Sequence, residues 1–301
     1  MNEAEVRKKV NAWLVDQDYK FLAREFGIEG GRLDFLAARW LEREYEIEVV
    51  GVECKGETHA GEVWRIANEQ LGRYARCVPK LYFACSVANA HQREEFAVLC
   101  RAAGVGFIGV GSAGADVKDP PRDIGSRLDW VRYMEEVRSR VALFLTFEDV
   151  FGADQRRGQD WCWTNEPTDR AQWSAFVDRA EGRCYFGVNV ENSKRMLREL
   201  DLSEIAKVLG ALPRETKCQV WRHVYFGLGR RVSMPLLMGT ASMLAVGELE
   251  HLRRVSSKQT VGLWVGLPLW HCGDAWARAL HGGRICEARD ALKPLYLCMT
   301  G

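Results

Sequence analysis

The chain has 301 residues and a formal net charge of +1, with 47% hydrophobic and 28% charged residues. These values are ordinary for a globular protein of one or two domains, and they neither support nor exclude a nucleic-acid partner. The sequence contains no run of eighteen apolar residues, which excludes a transmembrane helix, and its first residues lack a signal-peptide pattern. We therefore expect a cytoplasmic protein without a membrane partner.

The ten cysteines do not form any CxxC pair. Half of them lie in apolar runs, where a free thiol behaves as a small buried side chain, namely Cys54, Cys85, Cys100, Cys184 and Cys298. This usage favours reduced core thiols. The alternative is a zinc site near the C-terminus, although the spacing matches no known zinc knuckle; its candidates are Cys162, Cys272, Cys286, His271 and His281.

The first elements in chain order are a helix, a strand and a hairpin. Apolar positions at helical spacing predict a helix over 3–17, and an alternating stretch predicts a strand over 19–26. Two further strands are predicted over 33–38 and 47–54, joined by a polar turn at 39–45. Glu5 lies in the first turn of the helix, where a carboxylate complements the helix N-terminus.

The hairpin carries the residues around which the chain is organised. Glu53 and Lys55 are two apart in a strand, so their side chains share one face, while Cys54 points into the core. Antiparallel pairing of the two strands brings Asp34 next to Glu53. Two carboxylates at one strand end suit Mg²⁺, and a nearby lysine can position or deprotonate water or offset phosphate charge.

A glycine-bounded loop and a helix follow this hairpin. The loop over 56–61 contains His59, which either touches the scissile phosphate or is an exposed loop histidine. The helix predicted over 62–76 would turn Gln70 toward the carboxylates, where its amide can hydrogen-bond a water or a phosphate oxygen. Arg65 and Arg73 lie on this helix, and they either grip a sugar-phosphate backbone or form a solvated face.

This pattern resembles the PD-(D/E)xK nuclease superfamily, in its RecB-like and archaeal Holliday-junction-resolvase-like branch. The resemblance is carried by Asp34, by Glu53-Cys54-Lys55 as the ExK element and by Gln70, and it covers about residues 1–111. The family's proline before the aspartate is Leu33 here, at a position that often varies.

The resemblance implies a site and a cofactor. Mg²⁺, with Mn²⁺ as a substitute, would be held by Asp34, Glu53 and the Cys54 backbone carbonyl, and Lys55 and Gln70 would complete the catalytic set. A first-helix glutamate can reach the metal in such enzymes, and Glu5 is a better candidate than Glu3; the alternative for either is to complement the helix N-terminus. Nucleic-acid contacts would come from Arg32, His59, Arg65 and Arg73, with a solvent-facing role as the alternative for Arg32.

The remaining pattern predicts two domains. A buried strand over 79–86, a helix over 90–103 and a closing strand over 104–111 complete an α/β domain at 1–115 with a restriction-endonuclease-like core, a mixed sheet flanked by helices. Residues 116–145 are predicted as a linker and bridging helix. Residues 146–301 are predicted as a second α+β domain of unrecognised family, serving substrate recognition, regulation or dimerisation.

Within this second domain the pattern predicts a loop over 147–162, helices over 193–209, 234–249 and 270–280, and a terminal strand over 295–299. Strands are predicted over 184–190, 218–226 and 261–267. Gln219, Trp221, His223 and Tyr225 share one strand face, which either reads bases or is one side of an ordinary sheet.

We therefore expect a Mg²⁺-dependent endonuclease that hydrolyses phosphodiester bonds of nucleic acid, with DNA as the favoured partner, in restriction, phage defence or repair. Cleavage of both strands by one site per chain would favour a homodimer. The alternatives are a non-catalytic nuclease-like binding module and a nuclease effector gated by a small ligand.

Overall fold

A computed structural model describes residues 1–28, 31–41, 46–122, 127–152, 155–157, 160–164, 171–190, 200–226, 230–256, 261–272 and 278–300. The chain divides into two compact units, Met1–Leu145 and Thr146–Gly301. Each unit is built around its own sheet, and each is described by itself.

The first unit contains six strands and the helices between them. Its strands are β1 (Phe21–Ile28), β2 (Gly31–Trp40), β3 (Ile47–Lys55), β4 (Lys80–Ser86), β5 (Gly106–Gly111) and β6 (Gly114–Asp119). Its first three helices are α1 (Glu3–Asp16), α2 (60–74) and α3 (Ala90–Ala102), and α4 (130–151) crosses the boundary between the units.

These strands form one mixed sheet in the order β1-β2-β3-β4-β5-β6. The β1, β2 and β3 strands pair antiparallel, whereas β3, β4 and β5 pair parallel and β6 returns antiparallel. The parallel pairs require crossovers, and α2 and α3 provide them. The first unit is therefore a mixed α/β structure, and both carboxylate-bearing strands lie within its antiparallel part.

Helix α1 packs on one face of this sheet. Val6 and Val10 are fully buried in a cluster that includes Phe35, Val52 and Cys54. Since side chains alternate along a strand, Glu53 and Lys55 leave β3 on the side opposite to Val52 and Cys54. The prediction that Cys54 points into the core is confirmed.

The segment predicted as a linker begins within the sheet. Strand β6 covers Gly114–Asp119 and pairs with β5 at the edge, so residues 116–119 belong to the sheet. The exposure of its side chains alternates only weakly along the strand, and its charged residues are typical of a loop. The bridging helix predicted within 116–145 covers 130–151 in the structure, and most of its N-terminal half is π-helical over Tyr133–Arg138.

The second unit contains a seven-stranded antiparallel sheet in the order β12-β11-β13-β10-β9-β8-β7. Its strands are β7 (Gln155–Arg157), β8 (Trp161–Thr164), β9 (Gln172–Asp178), β10 (Arg183–Val190), β11 (Lys217–Phe226), β12 (Arg230–Thr240) and β13 (Val261–His271). Its helices are α5 (Leu202–Ala211), α6 (Val246–Ser256) and α7 (Arg278–Thr300). Residues 193–199 of the predicted helix over 193–209 fall outside the described residues.

Four sequence predictions for this unit are wrong in whole or in part. Residues 270–271 of the predicted helix over 270–280 belong to β13, and residues 273–277 of it fall outside the described residues. Residues 234–240 are strand rather than helix, because β12 pairs with β11 along its length and Pro235 lies at an irregularity opposite Trp221. Residues 295–299 belong to α7, which contains Pro294 within the helix. The predicted loop over 147–162 contains the end of α4 and strand β7.

The face of β11 for which base reading was one alternative is partly packed against other side chains. Trp221 contacts a buried aromatic cluster of Phe176, Tyr185 and Trp264, and it lies so close to Gly262 that a Cβ there would clash with its ring. The side chains of His223 and Tyr225 fall outside the described residues. For Trp221 the structure therefore favours an ordinary sheet face.

None of the ten cysteines, all of which lie in the described ranges, forms a disulfide. Eight are buried, while Cys286 and Cys298 are partly exposed. In the described part of the chain, no helix combines the length and apolarity needed to cross a bilayer.

Candidate active site

The backbone of β2 and β3 brings the two predicted carboxylates together. The register between the strands ends with Phe35 opposite Val52, and Asp34 and Glu53 follow this pair at the same end of the two strands. The Cys54 backbone N–H donates to Asp34 Oδ2 at 2.6 Å, so Cys54 contacts the site through its amide. Asp34 is 6% exposed and Glu53 is 4% exposed, which makes both carboxylates buried.

Glu53 is the least satisfied of these groups. Its Oε1 lies 3.8 Å from Lys55 Nζ, and its Oε2 has no hydrogen-bond partner among the described residues. Burial, reinforced by the charge of Asp34, raises the pKa of Glu53 to about 7. The carboxyl is therefore poised to exchange its proton for a cation near neutral pH.

Asp34 is more fully satisfied. Arg7 Nη2 lies 2.5 Å from Asp34 Oδ1, opposite the oxygen that accepts from Cys54. Burial raises the pKa of Asp34, and the Cys54 amide and the Arg7 guanidinium oppose that shift. Both carboxylates therefore resist ionisation in the metal-free protein, because burial outweighs their partners.

Lys55 stands between two carboxylates. Its Nζ lies 3.4 Å from Glu3 Oε2 and 3.8 Å from Glu53 Oε1. Burial alone would lower its pKa, but the charges of Glu3 and Glu53 outweigh burial and raise it. Lys55 is therefore a protonated cation at neutral pH.

Sequence reasoning missed two residues of this site, Arg7 and Glu25, and ranked Glu3 below Glu5. Arg7 bridges Glu3 at 2.8 Å and Glu25 at 2.7 Å in addition to Asp34. Glu25 lies opposite Asp34 across β1 and β2, and its φ of 51° is one of two positive values at non-glycine positions in the described chain. Such a conformation is strained. The i,i+4 spacing of Glu3 and Arg7 was the available signal, because it places both on one helix face.

Gln70 reaches the site from a π-helical turn. The turn covers Ile66–Gln70 within α2, and turns of this kind recur at functional sites. Gln70 Nε2 donates to the Tyr74 hydroxyl at 3.3 Å, and its amide also lowers the pKa of Glu53. The Tyr74 hydroxyl in turn donates to the Arg32 carbonyl at 3.2 Å, which ties α2 to the start of β2.

The other predicted residues have different placements. Glu5 accepts from the Asn2 backbone N–H at 3.1 Å in a capping box, so its carboxylate serves the helix N-terminus and Glu3 is the first-helix glutamate in the cluster. His59 caps α2 by accepting from the Glu62 N–H. Arg32 is exposed at 4.0 Å from Glu25. Arg65 and Arg73 are exposed on α2.

The residues present suit a small hard cation in part. Among the described residues, no group of three or more His, Cys, Asp or Glu side chains converges as metal ligands. The carboxylates of Asp34 and Glu53 supply hard oxygens, and Glu53 Oε2 is buried with no hydrogen-bond partner among the described residues. This donor set fits Mg²⁺, which keeps several waters and needs few protein ligands.

Comparison of the chain with protein-family models, with curated proteins and with solved structures finds no match. The nuclease resemblance therefore stays a prediction from the sequence.

Proposed function

We propose that the first unit has a restriction-endonuclease-like core and that the protein is a metal-dependent endonuclease acting on the phosphodiester bonds of DNA. One observation carries the proposal. Asp34, Glu53 and Lys55 meet at the end of β2 and β3, with Glu53 buried and under-satisfied. Folding alone does not favour such a group, because a buried carboxylate without partners destabilises the folded state.

The topology adds support. Strands β1, β2 and β3 pair antiparallel, and β3 then pairs parallel with β4 through the crossover helix α2. Strand β3, which carries Glu53 and Lys55, therefore lies between β2, which carries Asp34, and this crossover. The π-helical turn in α2 then delivers Gln70 to Glu53.

The roles follow from charge and burial. Asp34 and Glu53 would hold Mg²⁺, which lowers the pKa of bound water and offsets phosphate charge when present. Lys55 stays protonated, so it orients water or neutralises phosphate and does not remove a proton. Gln70 stabilises the ionised form of Glu53 and donates a hydrogen bond to a nearby oxygen.

The test is cleavage of labelled duplex, branched and single-stranded DNA with Mg²⁺ or Mn²⁺. Asp34→Asn and Lys55→Ala are compared with the wild type and with Lys80→Ala, a surface lysine paired with Glu48. We expect metal-dependent cutting by the wild type and by Lys80→Ala, and none by the other two. Cutting that survives both site substitutions, or wild-type protein that cuts no substrate, contradicts the proposal.

A second candidate function is a non-catalytic binding module, and one observation favours it. Arg7 already neutralises Asp34, and its other partners are Glu3 and Glu25. A site whose carboxylates are held by protein cations has less need of a metal. Titration of Mn²⁺ followed by its paramagnetic resonance signal separates the two: binding lost in Asp34→Asn supports the nuclease, and absence of wild-type binding supports the module.

A further inference from the structure

A surface pocket of about 340 Å³ opens beside Asp34, between α1 and the strands β1 and β2. Arg7, Lys8 and Asn11 line it from the helix, and Arg24, Glu25 and Asp34 line it from the sheet. It contains none of the residues to which the sequence assigned nucleic-acid contacts. Its size is at the lower end for pockets that hold a ligand, and it would admit a single phosphate-bearing group.

The charges of the pocket are unequally compensated. Its two carboxylates, Glu25 and Asp34, both pair with Arg7. Across the described part of the chain, neither Lys8 nor Arg24 forms an ion pair with a carboxylate. The pocket therefore presents two cations that form no ion pair with a described carboxylate, while the single charge of Arg7 is shared among Glu3, Glu25 and Asp34.

One of these cations is held in place. Arg24 Nη2 donates to Asn11 Oδ1 at 3.2 Å, and this neutral partner orients the guanidinium without cancelling its charge. Lys8 lies one residue beyond Arg7 on α1, and both line the pocket. An anion in the pocket would thus meet the guanidinium of Arg24 and the ammonium of Lys8, two groups that bind phosphate well.

We propose that this pocket is a phosphate subsite for the DNA strand, and that it holds a phosphate flanking the scissile one. The inference rests on the proposed nuclease function and deepens it, because it gives the path of the DNA. From the carboxylates of the active site, the DNA strand would run across β1 toward α1. Arg7 lies between the two places and would contact both the metal-site carboxylate Asp34 and the bound strand. Lys8 and Arg24 bind the backbone and do not read sequence.

The experiment measures binding and cutting in parallel. The double variant Lys8→Ala/Arg24→Ala is compared with Lys118→Ala/Arg122→Ala, called the β6 variant. This control removes the same charge from β6, at the opposite edge of the sheet, and from the segment that follows it. Anisotropy of labelled DNA, titrated in EDTA at several salt concentrations, gives affinity and its salt dependence. Single-turnover cleavage with Mg²⁺ gives the second readout, and circular dichroism verifies folding of both variants.

We expect roughly tenfold weaker binding by the pocket variant, with the slope of log affinity against log salt reduced by about 1, since the pocket holds one phosphate and each phosphate contact contributes about 0.9. The β6 variant should bind like wild type. Replacing Arg24 with lysine instead of alanine should keep part of the salt dependence of binding, because the charge is kept and the guanidinium geometry is lost.

The outcomes separate the two proposals. If wild type cuts DNA and the pocket variant binds and cuts like the β6 variant, the subsite is overturned and the nuclease stands. If the pocket variant shows the expected slope loss but wild type cuts nothing, the nuclease is overturned and the pocket remains a DNA phosphate site with no scissile phosphate beside it. If wild type neither binds nor cuts, both are overturned.

Discussion

Strand β3 carries two glutamates, Glu48 near its start and Glu53 near its end, and the protein treats them in opposite ways. The Glu48 carboxylate lies 2.7 Å from Arg39 Nη2 and 2.7 Å from Lys80 Nζ, and the Glu48 side chain is 13% exposed. Burial disfavours its charge, but the two cations outweigh burial and lower the pKa of Glu48. This end of the strand is a satisfied ion cluster.

Glu53 has no such neighbours. Its nearest cation is Lys55 at 3.8 Å, and burial raises its pKa to about 7. The same residue type in the same strand is therefore stabilised as an anion at one end and held close to neutral at the other. A carboxylate that stabilises the fold is paired, whereas a carboxylate kept for a ligand is left under-satisfied.

The largest expected difference between the two ends is in cleavage. Lys55→Ala should lower the single-turnover rate with Mg²⁺ by more than about 100-fold, because it removes the cation beside the carboxylates. Lys80→Ala removes an equal charge beside Glu48 and should leave the rate within about twofold, a margin far below the effect of one catalytic group. Equal losses in the two variants would show that the ends do not differ in function.

The next effect is on the pH dependence of stability in EDTA. The folded pKa of Glu53, about 7, exceeds its ordinary value of 4.5, so the folded protein holds a proton that the unfolded chain has lost between these pH values. The free energy of unfolding therefore falls as pH rises through this window, by on the order of 3 kcal/mol. Glu53→Gln should remove this fall and be more stable than wild type at pH 8.

Urea unfolding of wild type and Glu53→Gln at pH 5, 6, 7 and 8, about one unit apart across the window, measures this slope directly. A wild-type slope that Glu53→Gln retains would show that another group causes it.

The substitution Glu48→Gln should change the free energy of unfolding in the opposite direction. It leaves Arg39 and Lys80 without their anion and should lower the free energy of unfolding by about 1–2 kcal/mol at pH 7. Because the folded pKa of Glu48 is lowered, this loss is fully present above pH 4.5 and disappears as pH falls through the folded pKa. Urea unfolding at pH 7 and at pH 3 measures it, and an unchanged loss at low pH would contradict the ion-pair explanation.

The smallest effect concerns Gln70. Its amide stabilises the ionised form of Glu53, so Gln70→Ala should raise the pKa of Glu53 further. The carboxyl carbon signal of Glu53, followed by nuclear magnetic resonance as pH is varied, reports this directly. A fall in the pKa, or no change, would show that Gln70 does not act on Glu53.

Much of the first unit could be predicted from sequence, because its signals are local. The apolar spacing of α1, the alternation along β2 and β3 and the continuous apolar run of β4 each depend on a few neighbouring residues. The second unit was harder, since β12 and α7 contain signals that point the wrong way. Pro235 lies in a strand and Pro294 in a helix, and long-range pairing and packing override both local preferences.

The sequence by itself determined that Asp34, Glu53 and Lys55 share one strand end, because alternation along a strand and pairing in a hairpin follow from residue spacing. Only the tertiary structure decided which charges surround them. Arg7 and Glu3 come from a helix and Glu25 from a strained edge strand, and no spacing rule joins these elements to β3. The pKa of Glu53 depends on burial and on those neighbours, which exist only after the helix has packed on the sheet.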